Sequence, residues 1–558
     1  MEKVVIEKRI LLSFDAIYGN GVVNPKILLK DVPRTAAIEF ISYILHLYNV
    51  RKKDDHEFHS YHLIQWMMQM DEQENIIKFL EKEKALIYSS SFSLIDRRSC
   101  LDLIQYILIY SDAVSNNHPL NKSHYTLLFK CLLYFNSSEI AAQKMLFDEH
   151  EDCSIDEFAS YILTVQIKNI EHERFKDFKI QFLKVYYFFS FCESHEKYAI
   201  HLNTFLSSLG LTSYRGYLWN LISPYLKMMV NEPPTPKMHI AADSTTLHFY
   251  KQFVINDKIF IPEKDYKPLR KFPLYNSGPN LFVYMDFRFF VDKFYQSFLF
   301  DFAAKIDVPY NVLKTDMGNE FSEHILFYTI MEKCFGNYGD IRLKGDEIKA
   351  KLTSGEPDFY IRENAKIYLF EFKDVGLTAE TKYSGDPEKI KKGIFEKLER
   401  NYSGKKKGIT QLLSTIKEIS SGSYGTSLID ELPAGEIIIY PVIIHTDITF
   451  ESAGVNYFLN KRFEVLLAES ESLSHKVKQL TLINLDTLIL FQEHFLNGKL
   501  DLGICIDSYI EYISVNDGKT ATFPFDEFIK YYFVKEHKEK IGYPKDFDLL
   551  MNSFKTIT

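Results

Sequence analysis

Two carboxylates and a lysine, Asp358, Glu371 and Lys373, interrupt the apolar runs of the stretch SGEPDFYIRENAKIYLFEFKD, residues 354–374. Side chains alternate across a β-strand, so Leu369, Glu371 and Lys373 share one face. A hairpin with a two-residue turn at Glu363-Asn364 sets Asp358 opposite Leu369, on that same face and diagonal to Glu371. Gly355 can form the tight turn before the first strand, and Pro357 is tolerated at its start. Carboxylates brought this close repel unless a cation lies between them, and oxygen ligands of this kind suit Mg²⁺ or Mn²⁺. A competing reading is a solvated hairpin edge on which Glu371 and Lys373 merely offset each other. The flanking FYI and IYLF runs favour a strand buried on both faces, where unpaired charge is expensive.

The same residues carry a family resemblance. EPD, followed after twelve residues by EFK, resembles the P-D…E-x-K signature of the PD-(D/E)xK nuclease superfamily. The resemblance implies an α-β-β-β-α-β core, with Asp358 and Glu371 as ligands of Mg²⁺ (or Mn²⁺) and Lys373 as the catalytic lysine that positions or deprotonates the attacking water. Many members add a glutamate from the helix before the first strand. Here that helix is GNEFSEHILFYTIMEKCFG, and Glu323 is the residue carried over as a further catalytic residue and metal ligand, with Glu320 as its close alternative. Some relatives place a glutamine on the helix after the hairpin, which Gln411 of KGITQLLSTIKEIS matches. Thr415 stands where such relatives often have a tyrosine. The resemblance spans residues 317–485 and leaves the N-terminal half unassigned. It implies phosphodiester hydrolysis of nucleic acid, DNA favoured over RNA, in microbial or anti-phage defence or DNA processing. The alternative is a catalytically inactive nuclease-fold scaffold that serves protein interaction.

The elements that must position these residues can be read from periodicity. From Met317 onward the pattern runs helix, strand, strand, helix, strand (EIIIYPVIIHTDITF), strand (VKQLTLINL) and helix, an α/β signature. Residues 35–225 instead place apolar side chains at helical spacing, as in AAIEFISYILHLYNV and FKIQFLKVYYFFSFC. NEPPTPK, residues 231–237, reads as a linker because its prolines prevent both helix and central strand. Beyond it, KIFIP and LFVYM read as short strands and DFRFFVDKFYQSFLFDFAAKI as one long helix. The expected architecture is α+β and multidomain: an α-helical recognition or regulatory domain (1–230), a connecting section (231–310) and a restriction-endonuclease-like α/β domain with a central mixed sheet (311–558). The helical domain is the natural place for a protein partner or oligomer contact.

A chain of 558 residues exceeds what one hydrophobic core usually serves. Its formal net charge of −9 argues against a surface coated for nucleic-acid binding, so affinity for a polyanion has to be local. The run KYSGDPEKIKKGIFEKLERNYSGKKKG supplies the densest positive cluster, Lys405, Lys406 and Lys407. By default it is a solvated helix and loop; beside the site it becomes a backbone-phosphate clamp. The six cysteines are scattered with no CxxC pair, which fits a reducing, cytoplasmic setting. Neither a signal peptide nor a membrane-spanning run is expected. His56, His59 and His62 in HEFHSYH lack a completing zinc-ligand pattern. Asp243, Ser244 and His248 in AADSTTLH lack a nucleophile elbow.

Overall fold

A computed structural model of the chain describes residues 10–555 apart from 20, 22, 51–55, 90, 114–117, 148–153, 175, 231–238, 353–355, 402, 428, 434, 470–474 and 516. The linker NEPPTPK and Gly355 thus lie outside the described residues. Two compact units are present, neither a continuous stretch. One comprises Met1–Glu149, Phe175–Gln181 and Lys197–Asp307, the other His150–Arg174, Phe182–Glu196 and Val308–Thr558. This division differs from the consecutive 1–230, 231–310 and 311–558 expected. Packing is the reason: Leu163 and Ile167 join the core of the later sheet, whereas Tyr266, Leu269, Tyr275 and Val283 join the core of the first helices.

The first unit is built on helices such as Arg34–Val50 and Arg97–Tyr110. Ile38, Ile41 and Leu45, and Leu101, Ile104 and Leu108, recur on one face of each and are buried together. It also holds a three-stranded antiparallel sheet in the order His239–Ala241, Leu281–Tyr284, Leu274–Gly278. LFVYM therefore forms a strand. KIFIP does not: Asn256 accepts from the Lys258 N–H and caps a short 3₁₀ turn over Asp257–Ile259. The long helix expected over residues 286–306 is two helices, Phe287–Val291 and Phe298–Lys305. Between them the Ser297 N–H turns back to the Asp292 carbonyl, 2.8 Å away.

In the second unit α1 (Ile155–Glu173) comes first. Helix α2 (Tyr310–Met317) runs into a π-helical segment, Gly318–Phe327, and then α3 (Tyr328–Phe335). Next come β1 (Ile341–Lys344), β2 (Phe359–Glu363), β3 (Lys366–Lys373), α4 (Pro387–Leu398), α5 (Gly408–Ser420), β4 (Ile438–His445), α6 (Val455–Ala468), β5 (Lys476–Val477), β6 (Thr481–Asn484), α7 (Leu485–Leu496) and α8 (Phe525–His537). The six strands make one mixed sheet. β1, β2 and β3 are successive antiparallel neighbours, β4 runs parallel to β3, and β5 and β6 pair parallel with successive parts of β4. Strand β1, implied by the resemblance, and helix α6 were both missed by periodicity; β1 is only four residues long and half exposed, so alternation has little span in which to show.

Each face of the sheet has its own cover. Leu369, Tyr360, Ile443 and Leu482 pack with Leu412 and Ile416 of α5 and Leu459 of α6. On the opposite face Phe372 stacks on Phe327, and Phe370 lies beside Phe335 of α3. Both faces of β3 are therefore buried, which removes the solvated-edge alternative for the hairpin.

Candidate active site

Antiparallel pairing of β2 and β3 matches Phe359 with Phe370 and Glu363 with Lys366. The turn is thus Asn364-Ala365, with Asn364 at φ 53°, and not Glu363-Asn364 as expected from the sequence. Continuing this register sets Asp358 across from Glu371 and not across from Leu369. A register shift of two residues preserves the face, so Asp358, Glu371 and Lys373 still converge. Nζ of Lys373 lies 2.6 Å from Oε1 of Glu371 and 3.8 Å from Oδ2 of Asp358. The Phe372 N–H donates to Asp358 Oδ2 at 2.6 Å, locking that carboxylate against the end of β3. The Glu371 side chain is wholly buried, whereas Asp358 is 19% exposed and forms the open side of the cluster.

Of the two glutamates on the preceding helix, Glu323 is the one that senses the cluster, through the charges of Asp358 and Lys373. Glu320 sits 3.5 Å from His195 and belongs to a different contact. Glu323 lies within the π-helical segment, an uncommon geometry found mostly at functional sites.

Asp358 and Glu371, with the charge of Glu323 acting on them, outnumber the one ammonium of Lys373. Burial, with Asp358 adding to it, pushes Glu371 up to about 8. Burial and Asp358 push Glu323 up to about 7. Burial also raises Asp358, against the pull of Lys373. For Lys373 burial alone would lower the pKa, but Glu371 and Asp358 outweigh it and hold the ammonium above the ordinary lysine range.

The donor set fits a divalent cation in one specific respect: Oε2 of Glu371 is buried and without a hydrogen-bond partner, an expensive condition for a carboxylate oxygen. Asp358, Glu371 and Glu323 are the residues that would hold the ion. Among the described residues no three His, Cys, Asp or Glu side chains are already gathered closely enough to do so; Lys373 occupies the space between two of them.

The basic run divides in two. Lys382, Lys389 and Lys391 pair with Glu171, Glu380 and Glu388. Among the described residues, Lys397, Arg400, Lys405, Lys406 and Lys407 form no ion pair. Arg400 and Lys406 bridge across a short loop in which Asn401 Oδ1 accepts from the Lys405 N–H at 2.8 Å. Lys405 and Lys406 are exposed, and Lys406 reaches Ser414 Oγ at 2.8 Å. Lys407, half-buried, is held below its ordinary pKa by burial first and by the charge of Lys373 second. Gly408 is required there, since a Cβ would fall 2.5 Å from the Leu398 carbonyl oxygen. Gln411 is half-buried in the first turn of α5, and Thr415 one turn on is fully buried.

Sequence reasoning missed Asp374. Its carboxylate takes Lys314 Nζ at 2.5 Å and Ser322 Oγ at 2.7 Å on Oδ2, and Thr446 Oγ1 at 2.7 Å on Oδ1. Against burial, Lys314 and the two hydroxyls hold it down to about 2. The weaker candidates have structural roles. His59 is buried and its Nδ1 accepts from the Leu94 and Ile95 N–H groups, while Asp243 Oδ1 caps a turn by accepting from Thr245 and Thr246. Cys100, Cys131, Cys192, Cys334 and Cys505 are free and buried, and no helix among the described residues is long and apolar enough to cross a membrane.

Compared with protein-family models, with curated proteins and with solved structures, the chain matched none.

Proposed function

We propose that the second unit is a metal-dependent nuclease that hydrolyses phosphodiester bonds, with DNA the favoured substrate and Asp358, Glu371, Glu323 and Lys373 as its working residues. One observation carries this reading: Asp358, Glu371 and Lys373 meet in one enclosed place with a Glu371 oxygen left unpartnered. The order helix, β1, β2, β3, helix, β4 supports it, as do three parallel strand ends, Lys373, His445 and Asn484, lying side by side. Ligand sites in open α/β sheets gather at such ends.

Asp358, Glu371 and Glu323 would hold Mg²⁺ or Mn²⁺, which when bound neutralises phosphate charge and lowers the pKa of water. Lys373 stays protonated, because its two carboxylate neighbours favour the ammonium. Its part is accordingly to orient the attacking water by hydrogen bonding and to offset charge on phosphorus-bound oxygen, and not to remove a proton. Lys407 brings a second positive charge toward the same place, and Lys405 and Lys406 meet the backbone further out. Gln411 serves as a neutral hydrogen-bonding contact at the start of α5.

A second reading, a non-catalytic scaffold, draws on the closed Lys373–Glu371 pair, which already occupies the space between the carboxylates. Incubating the purified protein with plasmid, linear duplex, single-stranded DNA and RNA, each with Mg²⁺, Mn²⁺ or EDTA, separates the two. Cleavage of any of these that EDTA stops supports the nuclease; intact substrates in every tube support the scaffold.

A further inference from the structure

We propose that Asp374 is the positioning residue of the site, fixing Glu323 and Lys373 relative to each other without touching metal or substrate. This rests on the nuclease reading. Asp374 follows Lys373 at the end of β3, so whatever holds its carboxylate also holds the backbone from which Lys373 projects. Its side chain is 12% exposed, and both oxygens are committed to donors: Lys314 and Ser322 on one, Thr446 on the other. Three of its roughly four acceptor sites are thereby taken up by structural hydrogen bonds. The carboxylate joins four pieces of chain, the ends of β3 and β4, helix α2 and the π-helical segment.

The link to Glu323 runs through Ser322, its immediate neighbour in that segment. A π-helical stretch of ten residues is rare because its ladder is weaker than that of an α-helix, and it persists where tertiary contacts hold it. Ser322, 3% exposed, provides such a contact by donating to Asp374. With Ser322 directed at Asp374, the direction of the next side chain is set, and Glu323 is brought toward Asp358 and Lys373. Lys314 adds a second tether eight residues upstream of Ser322, at the other side of the junction between α2 and the π-helical segment. Outer-shell groups that orient metal ligands typically cost 10- to 100-fold in affinity or activity when removed.

Three proteins test this: the parent, Asp374→Asn and Ser322→Ala. Each is examined by calorimetric titration with Mn²⁺, by steady-state cleavage of duplex DNA and by thermal melting. Asp374→Asn should weaken Mn²⁺ binding by roughly 10- to 100-fold and lower kcat by a similar factor, with KM for DNA unchanged. Ser322→Ala keeps the Lys314–Asp374 pair and should melt close to the parent, yet bind Mn²⁺ about tenfold more weakly. If Asp374→Asn does not fold, Ser322→Ala decides alone. Parent-like Mn²⁺ affinity in every folded variant overturns the positioning role while leaving the metal site intact. A parent that binds no Mn²⁺ overturns the metal-site reading on which the role depends.

Discussion

Nζ of Lys373 lies 2.6 Å from Oε1 of Glu371, while Oε2 of the same carboxylate is buried without a partner. An ammonium satisfies half of this group and leaves a buried oxygen on the other half without a partner, the atom a cation would satisfy.

Loss of either strand carboxylate should remove the ion and leave the core. Asp358→Ala is expected to reduce metal-dependent cleavage more than about a hundredfold, beyond the usual cost of outer-shell changes, with little change in circular dichroism. Lys373→Ala should reduce turnover comparably but retain Mn²⁺ binding in a calorimetric titration. If Lys373→Ala lost Mn²⁺ affinity as well, its separate role would be untenable.

Glu323 and Glu320 make a matched pair for comparison. Glu323→Ala should raise the Mn²⁺ concentration needed for half-maximal cleavage about tenfold or more. Glu320→Ala, which removes only a contact with His195, should leave it alone. Equal effects would detach Glu323 from the site.

Stability of the metal-free protein should depend on pH through Glu371, raised to about 8, and Glu323, raised to about 7. Both folded-state values lie above the unfolded carboxylate range, so between about pH 4.5 and 8 the folded state binds more protons than the unfolded one. Stability then falls as pH rises through that window. Melting curves in EDTA should therefore shift to lower temperature from pH 5.5 to pH 8, and Glu371→Gln should flatten the trend. Parallel trends in the two proteins would show that Glu371 does not carry the shift.

Replacing Lys405, Lys406 and Lys407 together by Glu should weaken duplex binding regardless of sequence. It should also flatten the slope of log K against log salt by up to about 2.7, at about 0.9 per phosphate contact. Lys407 feels the charge of Lys373, so Lys407→Glu alone should also lower turnover at saturating DNA. An unchanged salt slope would return the run to an ordinary solvated loop.

How much of this was legible in the sequence depended on the range of the interaction. The common face of Asp358, Glu371 and Lys373 needed only strand parity, which survived a misplaced turn because a slip of two residues keeps every side chain on its side. Glu323 was carried over ahead of Glu320 from the family resemblance, whereas the π-helical segment that bears it has a residue spacing no α-helical pattern anticipates. Asp374 was invisible because its partners Lys314, Ser322 and Thr446 lie 60, 52 and 72 residues away. The division into units escaped for the same reason. Prolines at 231–237 report on local backbone alone, whereas membership of Leu163 and Ile167 in the later core is a matter of long-range burial.

The central claim is that Asp358, Glu371 and Lys373 form a working hydrolytic site. Its most direct test is digestion of duplex plasmid by the parent and by Glu371→Ala, side by side, with Mg²⁺ and with EDTA. Cleavage by the parent in Mg²⁺ alone, with none by Glu371→Ala at matched folding, is the predicted result. Cleavage by Glu371→Ala at the parent's rate would contradict it.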